Sequence, residues 1–178
     1  QPRKLSEVVT LKEIWNEDEK VLGCSRSDIL SKLPRRLSHS ILKWAEISPH
    51  APAVAGNATT LTYAALQQAV TESIEFLKSK GVRPGDRVML VAENGIALMC
   101  LFVALSEMDA IAAVINARLS ERELGLIQQD CDPRIVVFTT DDSTDAQAHG
   151  KRLGALADQL SFAKVATSTE FEASPETV

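Results

Sequence analysis

The chain is poor in the residues that usually announce a function. Five Phe, two Trp and one Tyr make up its aromatic content, 4% of 178 residues. Its core must therefore be assembled from Ala, Val, Leu and Ile, which suits helices packed closely on a sheet better than a sandwich filled with large rings. Only three cysteines occur, Cys24, Cys100 and Cys131. They are widely spaced, odd in number and without a C-x-x-C or a partnering His, so neither a disulfide framework nor a zinc site is indicated, and the reducing cytoplasm is the expected location. Cys100, inside an apolar stretch, reads as a small buried hydrophobe. A membrane span is also missing: the longest apolar run, Ile96 to Leu105, is closed by Glu107 and Asp109, well short of the roughly 18 residues a spanning helix needs, and no signal-peptide pattern opens the chain. Nor is there an excess of positive charge. Nineteen Lys and Arg face 24 Asp and Glu, a net charge of −5, which argues against nucleic acid as a partner because phosphate contacts need clustered cations.

What the sequence does contain is alternation. Its 45% hydrophobic content and its length suffice for one domain, and the pattern divides it into a charged N-terminal extension over 1–36, an α/β subdomain over 37–169 and an acidic coil over 170–178. In the extension, Leu11–Lys20 and Ser27–Leu33 suggest short helices, the second stopped by Pro34. The compact part opens with a helix capped by Ser38 and closed before Pro49. Short strands at Ala51–Ala55 and Thr59–Thr62 flank Gly56-Asn57, a dipeptide suited to a tight hairpin. Thr62 then caps a helix through Lys80 whose apolar residues Leu66, Val70, Ile74 and Leu77 recur every three or four positions, ended by Gly81. The turn Arg83-Pro84-Gly85-Asp86 delivers the chain into Arg87–Ala92, a near-continuous apolar run of the kind found in strands covered on both faces. Helices over 95–108, 120–130 and 144–159 alternate with strands over 110–115, 134–139 and 163–166. Ser120 and Glu123 have the spacing of a capping box. This order predicts βαβ crossovers: an α/β fold with a mainly parallel sheet flanked by helices, preceded by a short N-terminal β-hairpin.

Self-contained catalytic machinery is absent from the pattern. No G-x-G-x-x-G follows the first strong strand, and around Gly150-Lys151 the positions a phosphate loop needs for glycine and a hydroxyl hold Asp145 and Arg152. His39, His50 and His149 are far apart and read as surface or capping residues, Asp130 and Asp132 as helix-end groups, and Asp141-Asp142 as capping or solvating ones. The sequence thus offers no catalytic residue and no metal ligand set. One pair stands out: Lys151 and Arg152, on a segment after the carboxyl end of a predicted parallel strand, are expected to meet a nucleotide or coenzyme A phosphate.

Three segments carry a resemblance. Leu61-Thr62-Tyr63-Ala64-Ala65-Leu66, Gly81-Val82-Arg83-Pro84-Gly85-Asp86-Arg87-Val88, and Asn94 followed by Ala110-Ile111-Ala112-Ala113-Val114-Ile115-Asn116 occur in the order found at the start of adenylate-forming enzymes. Residues 38–166 resemble the first subdomain of an AMP-forming acyl-CoA synthetase. The resemblance implies a parent enzyme that uses ATP and Mg2+ to convert a carboxylic acid to an acyl-adenylate and passes the acyl group to coenzyme A. Its partners would be the remainder of the synthetase chain and the acid, and the family's phosphate loop and catalytic residues lie downstream of Val178. The 178 residues alone are therefore expected to be inactive and to bind none of these cofactors tightly. An adenylation domain that loads a carrier protein, or a noncatalytic α/β interaction module, would share the same early motifs. One departure is visible: the family commonly has Gly before the second strand, where Met108-Asp109-Ala110 stands here, while an Arg after Asn116 is kept as Arg118.

Overall fold

The computed structural model describes residues 19–56, 59–173 and 175–176. The chain divides into a small unit ending at Arg35 and a large one beginning at Arg36. In the small unit, α1 (Arg26–Lys32) is opened by a full capping box between Ser25 and Asp28, two residues earlier than the expected Ser27 start, and none of its residues is buried. The expected Leu11–Lys20 helix lies outside the described residues apart from 19 and 20, which are helical.

The large unit contains α2 (Leu37–Ile47), β1 (Pro52–Ala55), β2 (Thr60–Thr62), α3 (Tyr63–Ser79), β3 (Arg87–Ala92), α4 (Ile96–Glu107), β4 (Ile111–Asn116), α5 (Glu121–Cys131), β5 (Ile135–Thr139), α6 (Thr144–Arg152), β6 (Leu156–Gln159) and β7 (Lys164–Thr167). Strands β1 and β2 form the antiparallel hairpin; its expected Gly56-Asn57 tip includes Asn57, which lies outside the described residues. The main sheet has the order β4-β3-β5-β7-β6, parallel across β4-β3-β5 and antiparallel where β7 meets β5 and β6. The sheet is therefore mixed.

Alternation along β3 and β5 splits the core into two layers. Val88, Leu90, Ile135 and Val137 pack against Leu77 of α3 and Leu101 and Leu105 of α4. Met89, Val91, Val136 and Phe138 face Leu124 of α5 and Ala146 of α6 on the other side. A third cluster joins α3 and α4 through Leu66, Val70, Cys100 and Val103, with Val54 and Leu61 of the hairpin against it. The near-continuous apolar runs of β3 and β5 follow from this double covering.

The amino-terminal edge of the sheet is organised by Asp86. Its side chain is fully buried and meets Arg134, itself 12% exposed, through Oδ1–Nη2 and Oδ2–Nε contacts of 3.2 Å. Oδ2 also accepts the Arg83 amide at 2.8 Å, closing the turn in which Gly85 has φ +82°. A side chain at Gly85 would be strained by that φ, and its Cβ would fall 2.1 Å from the Glu176 carbonyl oxygen. From this turn the Gly85 amide reaches Asp109 O, Asp86 O accepts from Ile111, and Arg87 O accepts from Arg134. The starts of β3, β4 and β5 are thus tied together.

Asp109 occupies the glycine-type step. It has φ +54°, in the left-handed region that Asp tolerates better than most residues. Its carboxylate pairs with Arg36 at 2.8 Å, while Arg36 Nη1 donates to the carbonyls of Ser106 and Glu107 at the end of α4.

Several boundaries differ from the sequence reading. Helix α2 starts at Leu37 rather than after Ser38, because Ser38 is buried and its hydroxyl donates to Glu107 instead of capping. The helix expected over 144–159 stops at Arg152: Gly154 at φ +65° breaks it, and residues 156–159 pair with β7 as β6. The described tail residues, 170–173 and 175–176, are coil, yet they are anchored. Glu170 and Glu176 pair with Arg134 and Arg87, and the Phe171 amide donates to Arg134 O.

Removing one member of a buried ion pair strands the other, so Asp86→Ala is expected to cost about 3 kcal/mol or more of unfolding free energy. The double variant Asp86→Ala/Arg134→Met should lose less than the sum of the single changes, measured by urea denaturation.

Candidate functional site

Helix α4, which follows β3, packs on one face of the sheet, while α5 and α6, which follow β4 and β5, pack on the other. The chain therefore leaves the carboxyl ends of neighbouring strands in opposite directions on both sides of β3. Such switch points open crevices that bind ligands in α/β sheets. The carboxyl rim of β4-β3-β5 is the place where function is expected.

Two cavities lie there. One, of about 610 Å³, is lined by Glu93, Asn94, Leu98, Val114, Asn116 and Arg118. Its cation is Arg118, whose side chain is 70% exposed while Nη2 contacts Glu93 Oε2 at 2.9 Å. Asn116 Oδ1 accepts the Arg118 amide at 2.9 Å and so sets the turn that presents the guanidinium. Ser143 Oγ donates to Glu93 from the start of α6 and also accepts the Ala146 amide. Glu93 thereby links the ends of all three parallel strands. Its carboxyl is held below the usual carboxylate range, chiefly by the hydrogen bond from Arg118, with burial opposing.

The second cavity, of about 320 Å³, includes Ile96, Ala97, Asp141, Asp142 and Phe162. Asp142 accepts a hydrogen bond from the Ala97 amide at the start of α4. Helix α4 has no cap from its own N-cap residue, Gly95, so an aspartate from the β5–α6 loop supplies one. Burial raises the Asp142 pKa and the neighbouring Asp141 charge raises it further, whereas the Ala97 amide draws it down. Asp141 accepts the Lys164 amide at 2.7 Å. Both aspartates thus bond to amides distant in sequence, while Ser143 caps the helix they precede. Near the same rim, Thr139 Oγ1 is buried without a hydrogen-bond partner among the described residues.

The basic pair lies elsewhere. Lys151 and Arg152 are in the last turn of α6, which runs back from the carboxyl rim, and successive helical residues point about 100° apart. Lys151 lines a groove beside β6 and β7. Arg152 turns toward α5, donating to His149 Nδ1 at 3.1 Å and lying 3.8 Å from Glu121. His149 is buried rather than superficial, with Nε2 within 3.2 Å of the Ala117 and Leu119 carbonyls. Two carbonyl neighbours at Nε2 and a donor at Nδ1 put the ring proton on Nε2. Its role is to staple α6 to the β4–α5 turn.

Gly150 packs on Phe138 within a helix, which excludes a phosphate loop. Cys100 is sealed in the core, its thiol pKa pushed up to about 12 by burial. Among the described residues no group of three or more His, Cys, Asp or Glu could hold a metal ion, and no helix is long and apolar enough to cross a membrane. The rim offers a cation, carboxamides and a carboxylate latch, which are binding groups. Sequence reasoning singled out neither Glu93 nor Ser143, although Glu93 directly follows a strand and Ser143 opens a helix after one.

A profile of the AMP-binding enzyme family matches residues 41–177. Feruloyl-CoA synthase from an Amycolatopsis species is 34% identical over 121 residues, covering 67% of this chain and 25% of that protein. A hybrid PKS-NRPS synthetase, LUC5, from a Fusarium species is 30% identical over 131 residues, covering 72% of this chain and 3% of that protein. Among solved structures, the N-terminal domain of FACL13 from Mycobacterium tuberculosis superposes with a TM-score of 0.60 at 24% identity, over 70% of this chain and 31% of that one. The chain thus spans about a quarter of the feruloyl-CoA synthase it matches.

Two measurements probe the rim. A Cβ at Gly95 would sit 2.2 Å from Asp142 Oδ2, so Gly95→Ala should displace the carboxylate from the Ala97 amide at a cost of about 1 kcal/mol. That cost should nearly vanish in an Asp142→Ala background. In a carboxyl NMR titration, Glu93 should have its midpoint below that of a free glutamate and Asp142 above that of a free aspartate. Because its folded-state pKa is lowered, Glu93 adds stability above its unfolded pKa and loses it as pH falls through the folded value. Arg118→Gln should move the Glu93 midpoint upward.

Proposed function

Because the chain belongs to the AMP-binding enzyme family, matched over residues 41–177, we propose that it is the N-terminal portion of an ATP-dependent acid–thiol ligase. The parent enzyme joins a carboxylic acid to AMP as an acyl-adenylate, releases pyrophosphate, and transfers the acyl group to coenzyme A. Relatives named as CoA-forming enzymes support the acceptor. The observation that carries the reading for this chain is the Arg118 groove at the carboxyl rim.

The groups implied by this chemistry fit the chain unequally. Magnesium and the triphosphate find no cradle among the described residues, which include no metal-ligating cluster and no glycine-rich phosphate loop. Coenzyme A is different. An exposed guanidinium offers several planar donors to a phosphate, and the groove beside it is large enough for part of such a ligand. Arg118 would hold the phosphate, with Glu93 keeping the guanidinium oriented until the ligand arrives. The same chemistry with a carrier protein as acceptor is the second reading, favoured by the match to the hybrid synthetase.

Carboxylate-dependent ATP–pyrophosphate exchange tests the assignment. The 178-residue chain alone should show none, and the intact parent polypeptide should show it and then form an acyl thioester with coenzyme A. Exchange by the chain alone, or transfer by the parent only to a carrier protein, would overturn the reading. In the parent, Arg118→Ala should raise KM for coenzyme A about tenfold or more, as expected for loss of one charge-assisted contact. Exchange should stay within about twofold, since that half-reaction precedes thiol binding.

A further inference from the structure

The groove beside β6 and β7 has about half the volume of the Arg118 groove, roughly 310 Å³ against 610 Å³, and it is fenced by lysines. Gln147 and Lys151 line it from α6, one turn apart on the same helical face, and Lys164 lines it from the first position of β7. Thr140 also lines it, its amide bonded to Lys164 O. Among the described residues neither lysine ammonium has an ion pair or hydrogen bond. The carboxylate on the same wall, Asp158, is already satisfied: Lys80 Nζ contacts Oδ1 at 2.7 Å and Thr167 Oγ1 donates to Oδ2 at 2.9 Å. Asp141, nearest in sequence to Thr140, is turned to the Lys164 amide.

We propose that this groove is a second anion-binding site, separate from the rim at Arg118, and that it takes a phosphate dianion between Lys151 and Lys164. The charge balance favours that class of ligand. The carboxyl end of α6 contributes about half a negative charge at Lys151, against two unpaired ammonium groups, so the site is net positive and loses most of that excess when either lysine is removed. Gln147 adds a neutral donor and Thr140 a hydroxyl. Arg152, the sequence neighbour of Lys151, takes no part because His149 and Glu121 hold it on the opposite side of α6. The inference does not depend on the ligase reading.

The test is an amide NMR titration of the 178-residue chain with inorganic diphosphate and, separately, with AMP. Saturable shifts at Thr140, Gln147, Lys151 and Lys164 are expected with diphosphate. Binding should weaken about tenfold in Lys151→Gln or Lys164→Gln, consistent with loss of one charged contact, and disappear in the double variant. Lys43→Gln and Arg118→Ala should leave it unchanged. Equal affinity for AMP identifies the phosphate end of a larger molecule as the ligand, and preference for diphosphate identifies the free anion; either supports the site. Shifts confined to the Arg118 rim, an equal loss in Lys43→Gln, or no saturation by about 10 mM would overturn it. Since Arg118→Ala disables only the rim, failure here is distinguishable from failure of the coenzyme A proposal.

Discussion

The contact between Asp86 and Arg134 is the constraint on which the sheet depends. Two parallel pairings need three strands to begin in register, and parallel strands have no short turns to enforce it. Here a buried carboxylate closes the turn before β3 and grips an arginine at the start of β5, while the same turn bonds to the start of β4. Arg134 then holds the Phe171 and Ala173 carbonyls, so the tail closes over that edge of the sheet. With the amino-terminal edge fixed, the carboxyl edge inherits its spacing, and Glu93 can reach both Arg118 and Ser143.

That architecture separates framework from chemistry. The motifs that resemble adenylate-forming enzymes act mainly as caps, turns and covered strands: Thr62 caps α3 through the Ala65 amide, Gly85 and Asp86 make the turn, and Val88 and Leu90 fill the core. None of them is poised to move a proton or attack a bond. Family membership can therefore be read from the scaffold.

Local rules made much of the fold legible. The Thr62 cap, the Ser120–Glu123 box, the turn at Gly85 and the apolar runs of β3 and β5 are each decided by a few adjacent residues, and each is observed. The misreadings came where distant partners decide. Ser38 reads as a cap because nothing nearby reveals Glu107, and Leu156–Gln159 reads as the continuation of a helix because nothing nearby reveals the hydrogen bonds that β7 offers. His149 looked superficial because its carbonyl partners come from another connection. The rim was only half legible for the same reason. Arg118 stands out as a motif residue, but Glu93 and Ser143 acquire meaning only once three strand ends are side by side.

Asp109 shows what the departure from glycine entails. The step keeps its left-handed backbone, and the substituted side chain is held by Arg36, 73 positions away in sequence. The same arginine caps the end of α4, so it does not serve Asp109 alone. Each residue now sets the value of the other. Reversion to glycine would ease the backbone but isolate part of a guanidinium that has become useful, and losing the arginine first would leave an aspartate in a strained step with its main compensation gone. The two positions are thus energetically coupled, and neither can be changed without altering what the other contributes.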